Sequence, residues 1–123
     1  MNETIGWKNG EWKNLNDIYL TIKDRGLRFS DGIFETILIR ENKPILLNEH
    51  LKRFKNNLKI LNFNITIKKT FLERIIYEGI NKLNINKNQY GSIRINYTRG
   101  INMHRSIKID SLNKKLDINN LWI

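Results

Sequence analysis

The stretch Gly91 to Arg99 alternates more cleanly than any other part of this chain. Ile93, Ile95 and Tyr97 face one way, and Arg94, Asn96 and Thr98 the other. That period of two belongs to a strand with one buried and one polar face. Ile33 to Arg40 reads as a second strand, with Ile33, Glu35, Ile37 and Ile39 opposite Phe34, Thr36, Leu38 and Arg40. Both of its faces are largely apolar, which predicts a central position in a sheet. Between the two strands lie two stripes of helical spacing. Leu51, Phe54, Leu58 and Leu61 form the first; Leu72, Ile75, Ile76, Ile80 and Leu83 form the second. Strands, helix, helix, strands is the order of an α+β fold with a mainly antiparallel sheet and two flanking helices, not of an alternating βαβ chain. At 123 residues, with no linker or repeat, residues 1–123 are read as one domain.

Local signals fill in the rest. Ile5 and Trp7, then Asn9-Gly10, then Glu11-Trp12-Lys13 predict a hairpin, because a tight two-residue turn needs positive φ at both central residues. A short strand is expected at Ile18–Ile22, and a shaped loop with two glycines from Asp24 to Gly32. Glu41-Asn42 turns the second long strand, and Lys43–Leu47 is expected to pair back. Asn48 is placed as the cap of the first helix, with Glu49 in its first turn. Thr70 and Glu73 form a capping-box pattern for the second. Gly79 costs that helix about 1 kcal/mol relative to Ala. Ser106–Ile109 is read as one more strand. Leu112 to Ile123 has no clear period, and its apolar end calls for something to pack against.

Composition excludes several function classes. There is no Cys, so there is no disulfide, thiolate metal site or cysteine nucleophile. His50 and His104 lie far apart in sequence, which gives a histidine metal site little to work with. No apolar run approaches the roughly 20 residues of a membrane span. The first residues lack a signal-peptide pattern, so the cytoplasm is the expected location. Lys and Arg number 22 against 12 Asp and Glu, a net charge of +10. That excess raises the question of a nucleic-acid partner. The chain also holds 21 Ile, 19 Asn and 14 Lys but no Ala or Val. A coding bias towards Ile, Asn and Lys explains much of the charge. The cations are scattered and not interleaved with aromatics, so a nucleic-acid partner is not expected.

Three segments could carry chemistry. The first is Asp24-Arg25-Gly26-Leu27-Arg28-Phe29-Ser30-Asp31-Gly32-Ile33-Phe34-Glu35, a glycine-bearing loop that enters a strand and lets backbone approach a ligand. The second is Asn48-Glu49-His50-Leu51-Lys52-Arg53 on a helix. There Arg53 reads either as a surface ion pair with Glu49 or as an anion clamp, its guanidinium a rigid fork of donors. The third is Tyr97-Thr98-Arg99-Gly100 at a strand end, where Arg94, Arg99, His104 and Arg105 could gather on a carboxylate.

Taken together, in this order and spacing, the three segments resemble the N-terminal domain of the class IV, fold-type IV pyridoxal-phosphate enzymes. That family includes branched-chain and D-amino acid aminotransferases and 4-amino-4-deoxychorismate lyases. The resemblance runs from about Ile5 to about Ile109. It implies pyridoxal 5'-phosphate as cofactor, with Arg53 at the position that binds the cofactor phosphate. It places Phe34 in the wall of the substrate pocket and Glu35 at a glutamate usual in the aminotransferases. In the loop after Thr98-Arg99-Gly100 it puts His104 at the position of a substrate-carboxylate arginine, with Arg105 one step on. Arg99, His104 and Arg105 are thus the substrate-side cations it implies. The implied substrate is an amino acid or aminodeoxychorismate, and the implied assembly is a homodimer. The family's Schiff-base lysine comes from a second domain, and no lysine here matches it. The expectation is therefore the N-terminal half of a two-domain enzyme, catalytically inactive alone. The competing expectation is a non-enzymatic basic module that binds nucleic acid or acts as a regulatory remnant.

Overall fold

The computed structural model describes residues 4–63, 65–101 and 117–123. Six strands form one sheet: β1 (Ile5–Lys8), β2 (Glu11–Asn14), β3 (Gly32–Arg40), β4 (Lys43–Pro44), β5 (Tyr90–Thr98) and β6 (Leu121–Trp122). Three α-helices accompany them: α1 (Arg25–Phe29), α2 (Leu47–Ile60) and α3 (Lys69–Leu83). The strand order is β2-β1-β6-β5-β3-β4, and every pairing is antiparallel. The fold is α+β, as the periodicity predicts.

The hairpin forms where Asn9-Gly10 stands, with φ of 54° and 89°. Glu41-Asn42 makes the same kind of turn with φ of 51° and 57°, although Glu has no local preference for the left-handed region. Both helices pack on one face of the sheet. Leu51, Phe54 and Leu58 from α2 and Leu72, Ile75, Ile76 and Ile80 from α3 bury against Trp7, Ile37, Ile39, Ile93, Ile95, Tyr97 and Leu121. The opposite face carries Phe34 and Leu38, both exposed. The double apolarity of β3 thus marks a strand with two paired neighbours, one face covered by helix and one open.

Several local expectations are corrected. Ile18–Ile22 is not a strand: Tyr19, Leu20 and Ile22 are exposed and meet no sheet edge. The Asp24–Gly32 loop contains α1, capped by Asp24, whose Oδ1 accepts from the Gly26 N–H at 2.7 Å. Of the return segment, Lys43–Pro44 forms the strand that pairs with β3, and the Ile45 N–H adds one bond to the Leu38 carbonyl at 2.8 Å. Asn48 lies inside α2; the capping position is Leu46, left-handed at φ 53°, with no side-chain cap. Leu61 falls just past α2 and is exposed. Helix α3 begins at Lys69, one residue before the proposed cap, and Glu73 pairs with Lys69 at 3.3 Å instead of closing a box with Thr70. Leu121-Trp122-Ile123 does find a partner. Leu121 and Trp122 form β6, wedged between β1 and β5, with Leu121 fully buried. Residues 106–109 lie outside the described residues.

Candidate functional site

Strand β3 carries Phe34 and Glu35 on opposite faces, since successive side chains of a strand alternate. Glu35 points under α2 and is 4% exposed. A carboxylate so buried needs partners. The helix supplies them from one turn. Arg53 donates through Nε to Glu35 Oε1 at 2.6 Å and through Nη2 to Oε2 at 2.7 Å. His50 lies 2.8 Å from Oε2 through Nδ1. His50 and Arg53 are three apart on α2, so both reach the same spot beside the helix. The hydrogen bonds from Arg53, with a smaller contribution from His50, hold the Glu35 carboxyl below the ordinary carboxylate range despite burial. An ionised carboxylate only accepts, so Nδ1 of His50 must carry the proton in this contact. The same pairing raises Arg53 above its ordinary value, mainly through its hydrogen bond to Glu35.

Arg53 is therefore anchored at one edge and open at the other. Its side chain is 64% exposed although its Nε and Nη2 edge is fixed. Among the described residues, Nη1 meets no acceptor, so it and the second N–H of Nη2 are left for a further one. Of the two sequence readings of Arg53, the pair with Glu49 does not form; the carboxylate partner is Glu35. A fork held in place at its back and presented outwards suits a phosphate oxygen.

The first and third sequence segments lock onto one another at the end of β3 and β5. Asp31 accepts from Arg25 Nε at 2.8 Å and from Arg99 Nε at 3.0 Å. Arg99 also donates through Nη2 to the Leu61 carbonyl at 2.8 Å and stacks over Phe63, 4.0 Å from the ring centroid. Thr98 donates its hydroxyl to Asp24 Oδ2 at 2.9 Å and accepts the Gly100 N–H at 3.2 Å. The Arg25 N–H reaches the Gly100 carbonyl at 2.9 Å. Gly100 sits at φ +76°, and the Asn120 side chain fills the space a Cβ would take. Arg99, expected on the substrate side, has its donors turned into this lock. His104 and Arg105 lie outside the described residues.

On the open face, Arg94 covers the exposed Phe34. Its guanidinium sits 3.9 Å from the ring centroid, and Nε donates to Asn96 Oδ1 at 3.1 Å. Phe34 pairs with Asn96 and Thr36 with Arg94 across the ladder. The structure therefore separates the expected site residues into two faces. Glu35 and Arg53 meet on the helix side; Phe34 and Arg94 meet on the other. Among the described residues, no group of His, Cys, Asp and Glu could hold a metal ion, and no helix is long and apolar enough to cross a membrane.

Residues 32–118 match the profile of the amino-transferase class IV family. The chain belongs to that family. Over 93 residues, or 76% of this chain, it is 31% identical to an aminodeoxychorismate lyase of Bacillus subtilis, of which it covers 31%. It is also 31% identical over 93 residues to a D-alanine aminotransferase of Staphylococcus haemolyticus, again 76% of this chain and 32% of the relative. The pyridoxal-phosphate-bound form of a hypothetical aminotransferase from Mycobacterium tuberculosis shares the fold, with a TM-score of 0.69 at 20% identity over 84% of this chain and 36% of that one. The chain spans about a third of the length of the curated relatives it matches.

Proposed function

We propose that this chain is the counterpart of the N-terminal domain of a pyridoxal-phosphate-dependent class IV enzyme and supplies the arginine that receives the cofactor phosphate. The observation that carries the reading is the Glu35-anchored guanidinium of Arg53, fixed at one edge and open at the other. Such a group can take a phosphate oxygen without losing the hydrogen bonds that orient it. His50 supports Glu35, and Glu35 orients Arg53. The Phe34 and Arg94 pair lines the substrate side, where an aromatic wall and a cation suit an aromatic or carboxylate-bearing amine. Arg99 keeps the loop before β3 and the end of β5 in register. When bound, the cofactor supplies an electron sink for a carbanion next to the substrate amine.

The activity we favour is cleavage of 4-amino-4-deoxychorismate to pyruvate and 4-aminobenzoate. Likeness to the Bacillus subtilis lyase supports it. Transamination of an amino acid is the second reading, favoured by Glu35 and by likeness to the D-alanine enzyme. In either case, no lysine among the described residues is assigned the Schiff base. The isolated chain is therefore proposed to bind but not turn over, its reaction requiring a lysine-bearing domain and assembly as a homodimer. The test is Arg53→Gln in the 123-residue chain, followed by titration with pyridoxamine 5'-phosphate and, separately, pyridoxamine. The expected result is weaker binding of the phosphate ester alone. Equal affinity of wild type and variant for the ester removes Arg53 from this role.

A further inference from the structure

We infer that the outer face of α2 is an electropositive groove that gathers phosphate esters and delivers them to Arg53. This rests on the reading of Arg53 as a phosphate ligand. Lys52, Arg53, Lys55 and Lys59 line a surface groove that Lys69, the first residue of α3, also borders. Glu49 is the one carboxylate among the described lining residues. Lys69 is paired with Glu73 at 3.3 Å. Among the described residues, no hydrogen bond or ion pair engages the ammonium groups of Lys52, Lys55 and Lys59.

Their spacings of three and four put the three ammonium groups in one row on the helix, spanning about 10 Å. Like charges at those spacings repel and weaken a helix. The groove therefore holds positive potential that the fold does not neutralise. An anion entering it relieves the repulsion, and a concave wall with five cations to one carboxylate focuses the field. Among the described residues, no aromatic side chain lines the groove, so these offer no platform on which bases could stack. A compact dianion such as a phosphate monoester fits better than a nucleic-acid strand. Arg53 is part of the same wall and is the one cation there held by a buried carboxylate. The lysines attract; the fixed guanidinium retains.

The experiment titrates pyridoxamine 5'-phosphate into the full 123-residue chain, with the amide and Arg53 Nε–H resonances as readout. Its amine cannot form a Schiff base with these lysines. The variants are a triple Lys52→Gln, Lys55→Gln, Lys59→Gln chain, a triple lysine-to-arginine chain that keeps the charge, and Arg53→Gln. Three charges about 10 Å from a dianion predict roughly tenfold weaker binding by the triple glutamine chain at about 20 mM salt, shrinking to within about twofold at 0.3 M. The arginine triple is expected to bind like wild type. Equal affinity and equal salt dependence for wild type and the glutamine triple overturn the groove while leaving Arg53 in place if Arg53→Gln still weakens binding. Weakening by the glutamine triple with no effect of Arg53→Gln overturns delivery to Arg53, and with it the reading of Arg53 as the phosphate ligand, and leaves the lysines as the binding groups. The absence of any saturable shift at millimolar ester overturns the groove outright.

Discussion

Replacing Gly79 with Ala sets two effects against each other. Ala gains about 1 kcal/mol of helix propensity over Gly in an interior turn. Yet Gly79 is buried under the indole of Trp12, and an added Cβ would lie 2.5 Å from Cη2 and closer still to Cζ2. Carbon atoms prefer about 3.5–4 Å, so the ring has to shift by more than 1 Å. The indole is rigid and packs against the core from β2, and overpacking of that kind costs about 1–3 kcal/mol. With contacts this close the clash falls in the upper half of that range. The net effect is a loss of about 1–2 kcal/mol. At about 2.1 cal/mol/K per residue, 123 residues give an unfolding entropy near 0.26 kcal/mol/K, so the melting temperature falls by about 4–8 °C. Circular-dichroism melts of wild type, Gly79→Ala, Trp12→Ala and the double variant measure it. In the Trp12→Ala background the same Gly79→Ala change is expected to stabilise, because only the propensity term remains. A Gly79→Ala chain that melts higher than wild type with Trp12 present would refute the steric argument.

Asp31→Asn removes the carboxylate shared by Arg25 and Arg99, two guanidinium groups with side chains 3% and 18% exposed. Breaking a buried charge cluster of this kind predicts a loss of about 2–4 kcal/mol in urea unfolding; a loss under about 1 kcal/mol would show that the lock is dispensable. Glu35 gives a pH signature. Arg53 holds its carboxyl below the ordinary range, so its contribution to stability is full above the ordinary glutamate value of about 4.3 and is lost as pH falls through the lower folded value. The stability gap between wild type and Glu35→Gln should therefore narrow from about pH 5 towards about pH 2, and a gap that stays constant would contradict the ionised, Arg53-bound state.

Local patterns that are complete within a few residues were legible. Asn9-Gly10, the alternation of β5 and the stripes of α2 and α3 all depend on neighbours in sequence. The missed features depend on distant partners. Strand β6 has two residues, too few for a period, and exists because β1 and β5 leave a gap between them. Helix α1 is barely more than one turn, too short to show a stripe. The Thr70 capping box loses to a helix that starts one residue earlier and to the Lys69–Glu73 pair. At the site, alternation along β3 already placed Phe34 and Glu35 on opposite faces. It could not show that Glu35 and Arg53, 18 positions apart, are bonded. Nor could it show that Arg99 spends its donors on Asp31 and the Leu61 carbonyl. Those pairings are set when α2 docks on β3 and when the two glycine loops meet.

Strand β6 also has a kinetic consequence. Trp7 and Ile123 exchange backbone hydrogen bonds, the Trp7 N–H to the Ile123 carbonyl at 2.7 Å and the Ile123 N–H to the Trp7 carbonyl at 3.1 Å. The β1–β2 hairpin can form early and alone, but no other strand of the sheet borders it directly except β6. Until residues 121–123 arrive, the sheet is two separate pieces, and joining them closes a loop of almost the whole described chain. Such a late, long-range closure slows folding and leaves an edge of β1 and an edge of β5 unpaired in the meantime, both open to strands of other molecules. On a ribosome, that interval lasts until the codons for Leu121, Trp122 and Ile123 have been read and their residues have cleared the exit tunnel.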